Sequence, residues 1–131
     1  MLLVYPAIFH MEDDSCWVEF PDLNGCHTYG SSVEDTIPLA QEALGLYAAT
    51  LLEDEKKLPP ASKIQDCKAE GNAFVSLIYC DLNAYLKGSK AVKKTLTIPD
   101  WLNDLASKEG INFSQTLQNA LLEQLSLTKK D

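Results

Sequence analysis

The apolar positions of this chain fall first into short strand-like runs, then into one long helical stripe, and last into a compact strand–helix–helix pattern. Residues 2–9, LLVYPAIF, are an apolar run of strand-forming types, and Pro6 within it predicts an edge position or a bulge. Residues 15–20, SCWVEF, alternate as a second strand, and the acidic HMEDD between the two predicts a hairpin. Pro21-Asp22-Leu23-Asn24-Gly25 carries turn chemistry throughout, with Gly25 able to take positive φ. Cys26-His27-Thr28-Tyr29 fits a third short strand before Gly30.

Ser32, with Asp35 three residues on, predicts a helix start in which a side-chain oxygen caps a backbone amide. Val33, Ile37, Ala40, Leu44, Tyr47, Ala48, Leu51 and Leu52 then recur at spacings of three and four, an apolar face about five turns long. Pro38 removes one backbone hydrogen bond near its start and should bend or loosen the first turns. The helix is expected to stop in Glu53-Asp54-Glu55-Lys56-Lys57, because Leu58-Pro59-Pro60 cannot continue it. After a polar loop over 58–71, residues 73–80, AFVSLIYC, are almost continuously apolar and predict a central, buried strand. Residues 1–86 thus predict β-β-β-α-β, one sheet with one helix across it.

The texture changes after a hinge at residues 87–91. Residues 92–98 predict a strand with Leu96 and Ile98 on one face and Lys93, Thr95 and Thr97 on the other. Pro99-Asp100 opens a helix that turns Leu102, Leu105 and Ala106 inward, and Gly110 fits its C′ position. Ser114 is expected to cap a second helix with Leu117, Ala120, Leu121 and Leu125 as its apolar face. A unit over 92–127 is too small to bury a sufficient core alone, and its strand leaves backbone groups unpaired. A second copy cures both faults. Two strands pair antiparallel and four helices enclose a shared core of Leu96, Ile98, Leu102, Leu105, Leu117 and Leu121. Lys93, Thr95 and Thr97 of both chains then stand on one face of a two-stranded ribbon that fits the DNA major groove. Ser114, Gln115 and Thr116 open the second helix, and the amides of Gln115 and Thr116 are expected to point outward to a phosphate.

Charge sharpens this division. The 131 residues carry a net charge of −8, which on average disfavours nucleic-acid binding. Residues 1–86 hold fourteen Asp and Glu against four Lys, a balance of −10, whereas residues 87–131 hold five against seven, a balance of +2. An acidic body therefore precedes a mildly basic tail, which predicts two tasks. All eleven basic residues are Lys, so the bidentate Arg–guanine fork is excluded. The 46% hydrophobic and 23% charged content is that of a folded domain, not a disordered chain. No apolar run approaches the roughly 18 residues of a membrane span. The opening MLLVYPAIF lacks a basic region and meets Glu12-Asp13-Asp14, so the expected location is cytoplasmic.

Other chemistry is weakly supported. Cys16, Cys26, Cys67 and Cys80 show no paired spacing, and a set drawn from His10, Cys16, Cys26 and His27 matches no zinc finger or ribbon. No metal and no cofactor are expected. Neither histidine can be tied to a nucleophile by spacing. Trp17 reads as core packing, or as a partner anchor if its face is exposed; Trp101 reads as dimer core or as packing between domains.

KKTLTIPDWLNDLASKEGINFSQTLQNALLEQL resembles a ribbon-helix-helix DNA-binding domain. YPAIFHMEDDSCWVEFPDLNGCHTYG, the SVEDT…AQEALGLYAATLLED helix and LPPAS together resemble the HicB antitoxin family. The resemblance covers nearly the whole chain. It implies an α+β protein in which a truncated ribonuclease-H-like domain over 1–86 is followed by a ribbon-helix-helix domain over 92–127. It further implies a non-enzymatic antitoxin that binds a HicA-type mRNA-cleaving toxin and represses its own operon, as a homodimer or a dimer of dimers. Because such a toxin is basic, Glu12, Asp13, Asp14, Glu19 and Asp22 around the first hairpin are the expected toxin-binding residues, although the helix end at Glu53–Glu55 is equally acidic. Catalysis would need several carboxylates converging on metal ions, and Asp13, Asp14 and Asp22 fall in turns instead. A rival reading keeps the DNA-binding tail but makes the front domain a small-molecule or protein sensor in an orphan regulator.

Overall fold

A computed structural model describes residues 1–86 and 91–125, which belong to two compact units. The front unit places β1 (Leu2–Met11), β2 (Cys16–Glu19), β3 (His27–Gly30), α1 (Val33–Glu53) and β4 (Ala73–Asp81) in that order. The strands form one sheet in the order β3-β2-β1-β4, antiparallel at every pairing. The β1–β2 hairpin closes where the Glu12 amide donates to the Ser15 carbonyl at 2.9 Å.

Strand alternation sends Leu3, Tyr5, Ala7 and Phe9 of β1, with Cys16 and Val18 of β2 and Ile78 and Cys80 of β4, into one core under α1. The helix meets them with Leu44 and with Ala40, Ala48 and Ala49, small residues that let it approach the sheet closely. Ser32 caps α1 by accepting from the Asp35 amide at 3.1 Å, and the helix runs through Pro38 without a break. Ile37, expected on the buried face, is exposed, and Thr36 is buried in the first turns instead. Beyond β4, Tyr85 folds back over α1 so closely that a Cβ at Gly45 would collide with its ring.

Three expectations about strands need correction. Pro6 predicts an edge or a bulge, but β1 lies between β2 and β4 and its register with β4 runs unbroken through Pro6 and Leu77; β2 pairs only with Ile8 to Met11, so the missing amide of Pro6 breaks no ladder there. β4 is an edge strand, not a central one, and Phe74, Leu77 and Tyr79 along it are exposed. Its unbroken apolar pattern arises because Leu77 and Tyr79 on its outer face are apolar although exposed. Residues 92–98, expected as a strand, carry no regular secondary structure. A strand exists only through a ladder of hydrogen bonds to a neighbour, and a single chain of the tail supplies none.

The tail unit otherwise follows its sequence: α2 (Asp100–Lys108) and α3 (Phe113–Leu125) are joined through Gly110 at φ 70°. The Gly110 amide donates to the Ser107 carbonyl and that of Ile111 to Ala106, both at 3.1 Å, which satisfies the last carbonyls of α2. Most of the expected hinge at 87–91, and residues 126–127 of the expected tail domain, lie outside the described residues.

Candidate functional site

The face of the sheet turned away from α1 is the most unusual surface of the front unit. Register puts Leu2, Val4, Pro6, Ile8 and His10 of β1 on it, opposite Tyr79, Leu77 and Val75 of β4 on one side and Trp17 and Glu19 of β2 on the other. Tyr29 and His27 of β3 extend it. Leu77 is 50% exposed, Tyr79 59% and Tyr29 74%. Pro6 and Ile8 at the middle of this face are buried, and the exposed apolar side chains lie around them; such side chains gain free energy when something covers them. Trp17 lies here, half-buried, and not in the core. Its indole stacks on the His10 ring at 3.9 Å, and His10 Nε2 lies 2.8 Å from Glu19 Oε2. The three side chains brace one another. Beside them Trp17, Glu19, Pro21, Asn24 and His27 line an open cleft of about 350 Å³.

Acidic groups frame this face. Glu12, Asp13 and Asp14 are exposed at the hairpin tip beyond Met11, and Ser15 Oγ donates to Glu12 at 3.4 Å. Asp81 stands opposite Leu2 at the far end, 3.6 Å from the amino terminus. The expected toxin-binding carboxylates are thus not one cluster. Glu12, Asp13, Asp14 and Glu19 border the outer face, whereas Asp22 is held in the following turn by Ser62. Among the described residues, no three His, Cys, Asp or Glu are grouped to hold a metal ion. Burial pushes the Cys26 thiol up to about 11, which keeps it protonated and unreactive.

The tail unit presents a different surface. Neither of its helices buries a residue; Leu96 is 65% exposed and Leu121 51%, and Ile98, Leu102 and Leu105 are exposed as well. Leu96, Ile98, Phe113 and Leu117 converge instead on an open cleft of about 450 Å³. Lys93, Thr95 and Thr97 are exposed and do not line it. At the start of α3 the cap is Asn112, not Ser114: its Oδ1 accepts from the Gln115 amide at 3.0 Å. The Thr116 amide donates to the Asn112 carbonyl at 3.0 Å, so the Gln115 and Thr116 amides are already occupied. A helix start leaves its first amides open, which here are those of Phe113 and Ser114.

The sequence profile of the HicB-like antitoxins of bacterial toxin–antitoxin systems matches residues 5–120. The chain belongs to this family. The antitoxin is 30% identical over 100 residues to the uncharacterized 14.9 kDa protein of the rep–hol intergenic region of Haemophilus phage HP1, covering 74% of each chain. Its fold is similar to a chain of a toxin–antitoxin complex from Streptococcus pneumoniae, with 31% identity, a TM-score of 0.62, and 95% of this chain and 99% of that one covered. It is similar also to the Burkholderia pseudomallei antitoxin HicB, with 25% identity, a TM-score of 0.70, and 94% and 98% covered. The exposed side of β4 is the part of the surface that sequence reading assigned to the core; Trp17, read as core packing or as a partner anchor if exposed, lies half-buried on the same face. The signal was present in the polar partners His10 and Glu19, which alternate onto the same face as Trp17.

Proposed function

We propose that this antitoxin neutralises a HicA-type mRNA-cleaving toxin through its front unit and represses its own operon through a ribbon-helix-helix tail. The observation that carries the reading is the tail's half-built core. Leu96, Ile98, Leu102, Leu105, Leu117 and Leu121 are all left without cover sufficient to bury them, next to an open apolar cleft. A second copy supplies both the missing wall and the missing strand, and gives residues 92–98 their ladder. On that ribbon Lys93, Thr95 and Thr97 face DNA, and Ser114, Gln115 and Thr116 lie beside the phosphate that the opening of α3 attracts.

The front unit serves as a truncated ribonuclease-H-like scaffold without chemistry of its own. Its carboxylates are engaged singly: Glu19 with His10, Asp22 with Ser62, Asp81 with the amino terminus and the Asn83 amide. The protein acts in the cytoplasm beside its operon and toxin, and among the described residues no helix is long and apolar enough to cross a membrane. Light scattering of the full chain at micromolar concentration tests the assembly. A dimer, or an even multiple of one, is expected, and Leu121→Asp should yield monomers that lose operator DNA, because a buried carboxylate is costly. A monomeric wild-type chain would overturn the reading.

A further inference from the structure

We propose that the outer face of the sheet, centred on Trp17, Leu77 and Tyr79, is where the toxin docks. The inference rests on the toxin-neutralising reading above and names the surface that performs it. The occupant is a basic protein, for three reasons taken from the charges and shape of the face. Its surface is apolar and aromatic: Val4, Leu77, Tyr79 and Tyr29 are exposed along three strands, around the buried Pro6 and Ile8. Its border is acidic: Glu12, Asp13 and Asp14 at one end, Asp81 at the other, Glu19 inside, and no lysine on any of the four strands. Its cleft beside Trp17 combines an aromatic surface with the Glu19 carboxylate and has room for one long side chain. A Lys or Arg of the partner would lie over the indole there, with its charge toward Glu19, a cation–π contact reinforced by an acidic neighbour.

A second copy of this chain fits the face poorly. Two acidic borders would meet across the contact, and like charges so placed repel. Nucleic acid is excluded on the same ground. The His10–Trp17 stack and the His10–Glu19 contact hold the anchor in place before binding, so little side-chain freedom remains to be lost.

The test titrates full-length antitoxin with a purified basic cognate toxin of the HicA type and reads Kd and association rate. Leu77→Glu and Tyr79→Ala are exposed positions whose replacement leaves the core intact; each should weaken binding by about thirtyfold, the scale of an interface anchor. Glu19→Gln should weaken it by about tenfold, and Leu46→Glu, on the outside of α1, should stay within about twofold. Replacing Glu12, Asp13 and Asp14 with their amides should slow association at low salt and leave dissociation almost unchanged. If the wild-type chain binds this protein and the Leu77, Tyr79 and Glu19 variants bind it equally well, the docking face is wrong and the antitoxin reading stands. If the wild-type chain does not bind it, both fall. If Leu77→Glu instead halves the mass of the free antitoxin and spares toxin binding, the face is a contact between copies, and the proposal is overturned.

Discussion

Asp22 and Ser62 are joined by two hydrogen bonds: the Ser62 amide donates to Asp22 Oδ2 at 2.8 Å and its hydroxyl to Oδ1 at 2.5 Å. Close by, the Tyr5 hydroxyl donates to the Pro59 carbonyl at 2.5 Å and the Tyr47 hydroxyl to the Asn24 carbonyl at 2.8 Å. The FPDLNGC turn and the LPPAS loop are therefore one structural unit, with Leu23 and Leu58 buried beneath it. Asp22→Ala should cost about 1–2 kcal/mol, because it abandons two donors bonded to a charged acceptor. Thermal unfolding measures this, and limited proteolysis should detect cleavage near residues 58–66. Ser62→Ala keeps the amide bond and should cost less.

Glu55 sits at φ 60° just past α1, where the Glu55 amide donates to Leu52 at 3.0 Å and the Lys56 amide to Leu51 at 2.8 Å. A side chain in this left-handed position costs about 1–2 kcal/mol, and glycine avoids that cost while gaining freedom when unfolded. Glu55→Gly should therefore stabilise the front unit by about 0.5–1 kcal/mol, seen as a rise of a few degrees in its thermal midpoint. Glu55→Val should lower it.

Burial, with the Asp22 charge adding to it, pushes the Tyr5 phenol up to about 12. In an unfolded chain it titrates near 10. A folded pKa above the unfolded one gives stability that is complete below pH 10 and lost as pH climbs toward 12. Urea midpoints measured from pH 9 to 12 should fall steeply in the wild type. Tyr5→Phe should be less stable by about 1 kcal/mol at pH 7, having lost the bond to Pro59, yet decline less between pH 10 and 12.

On operator DNA, Thr95→Ala and Thr97→Ala should relax sequence preference, since a threonine offers a hydroxyl and a methyl to base edges. Lys93→Ala should weaken binding to all sequences and, if Lys93 holds a phosphate, reduce the salt slope by about one unit. Gel-shift titrations at several salt concentrations separate the two effects. Unchanged affinity in all three variants would mean that residues 92–98 do not read DNA.

Elements stabilised within the chain were the legible ones. Ser32 with its stripe announced α1, Gly110 announced the end of α2, and the alternation in SCWVEF announced β2. Elements that depend on something outside the chain were misread. AFVSLIYC has the composition of a strand covered on both faces, and only its register reveals that one face is open. Residues 92–98 have a strand's alternation without a strand's partner. The α3 cap was missed by two residues because Asn112 and Ser114 are both good capping types, and only the position of Phe113 decides between them. Nothing in local spacing links Asp22 to a serine forty positions away.

The antitoxin reading is tested most directly by growth of cells that express the toxin together with residues 1–86 alone. This segment holds the complete front core and the whole acidic outer face, and lacks the tail that the account assigns to DNA. Growth should be restored as it is by the full chain, while the same segment leaves operator DNA unbound in a gel shift. A segment that folds, as judged by circular dichroism, yet leaves the toxin lethal would contradict the account.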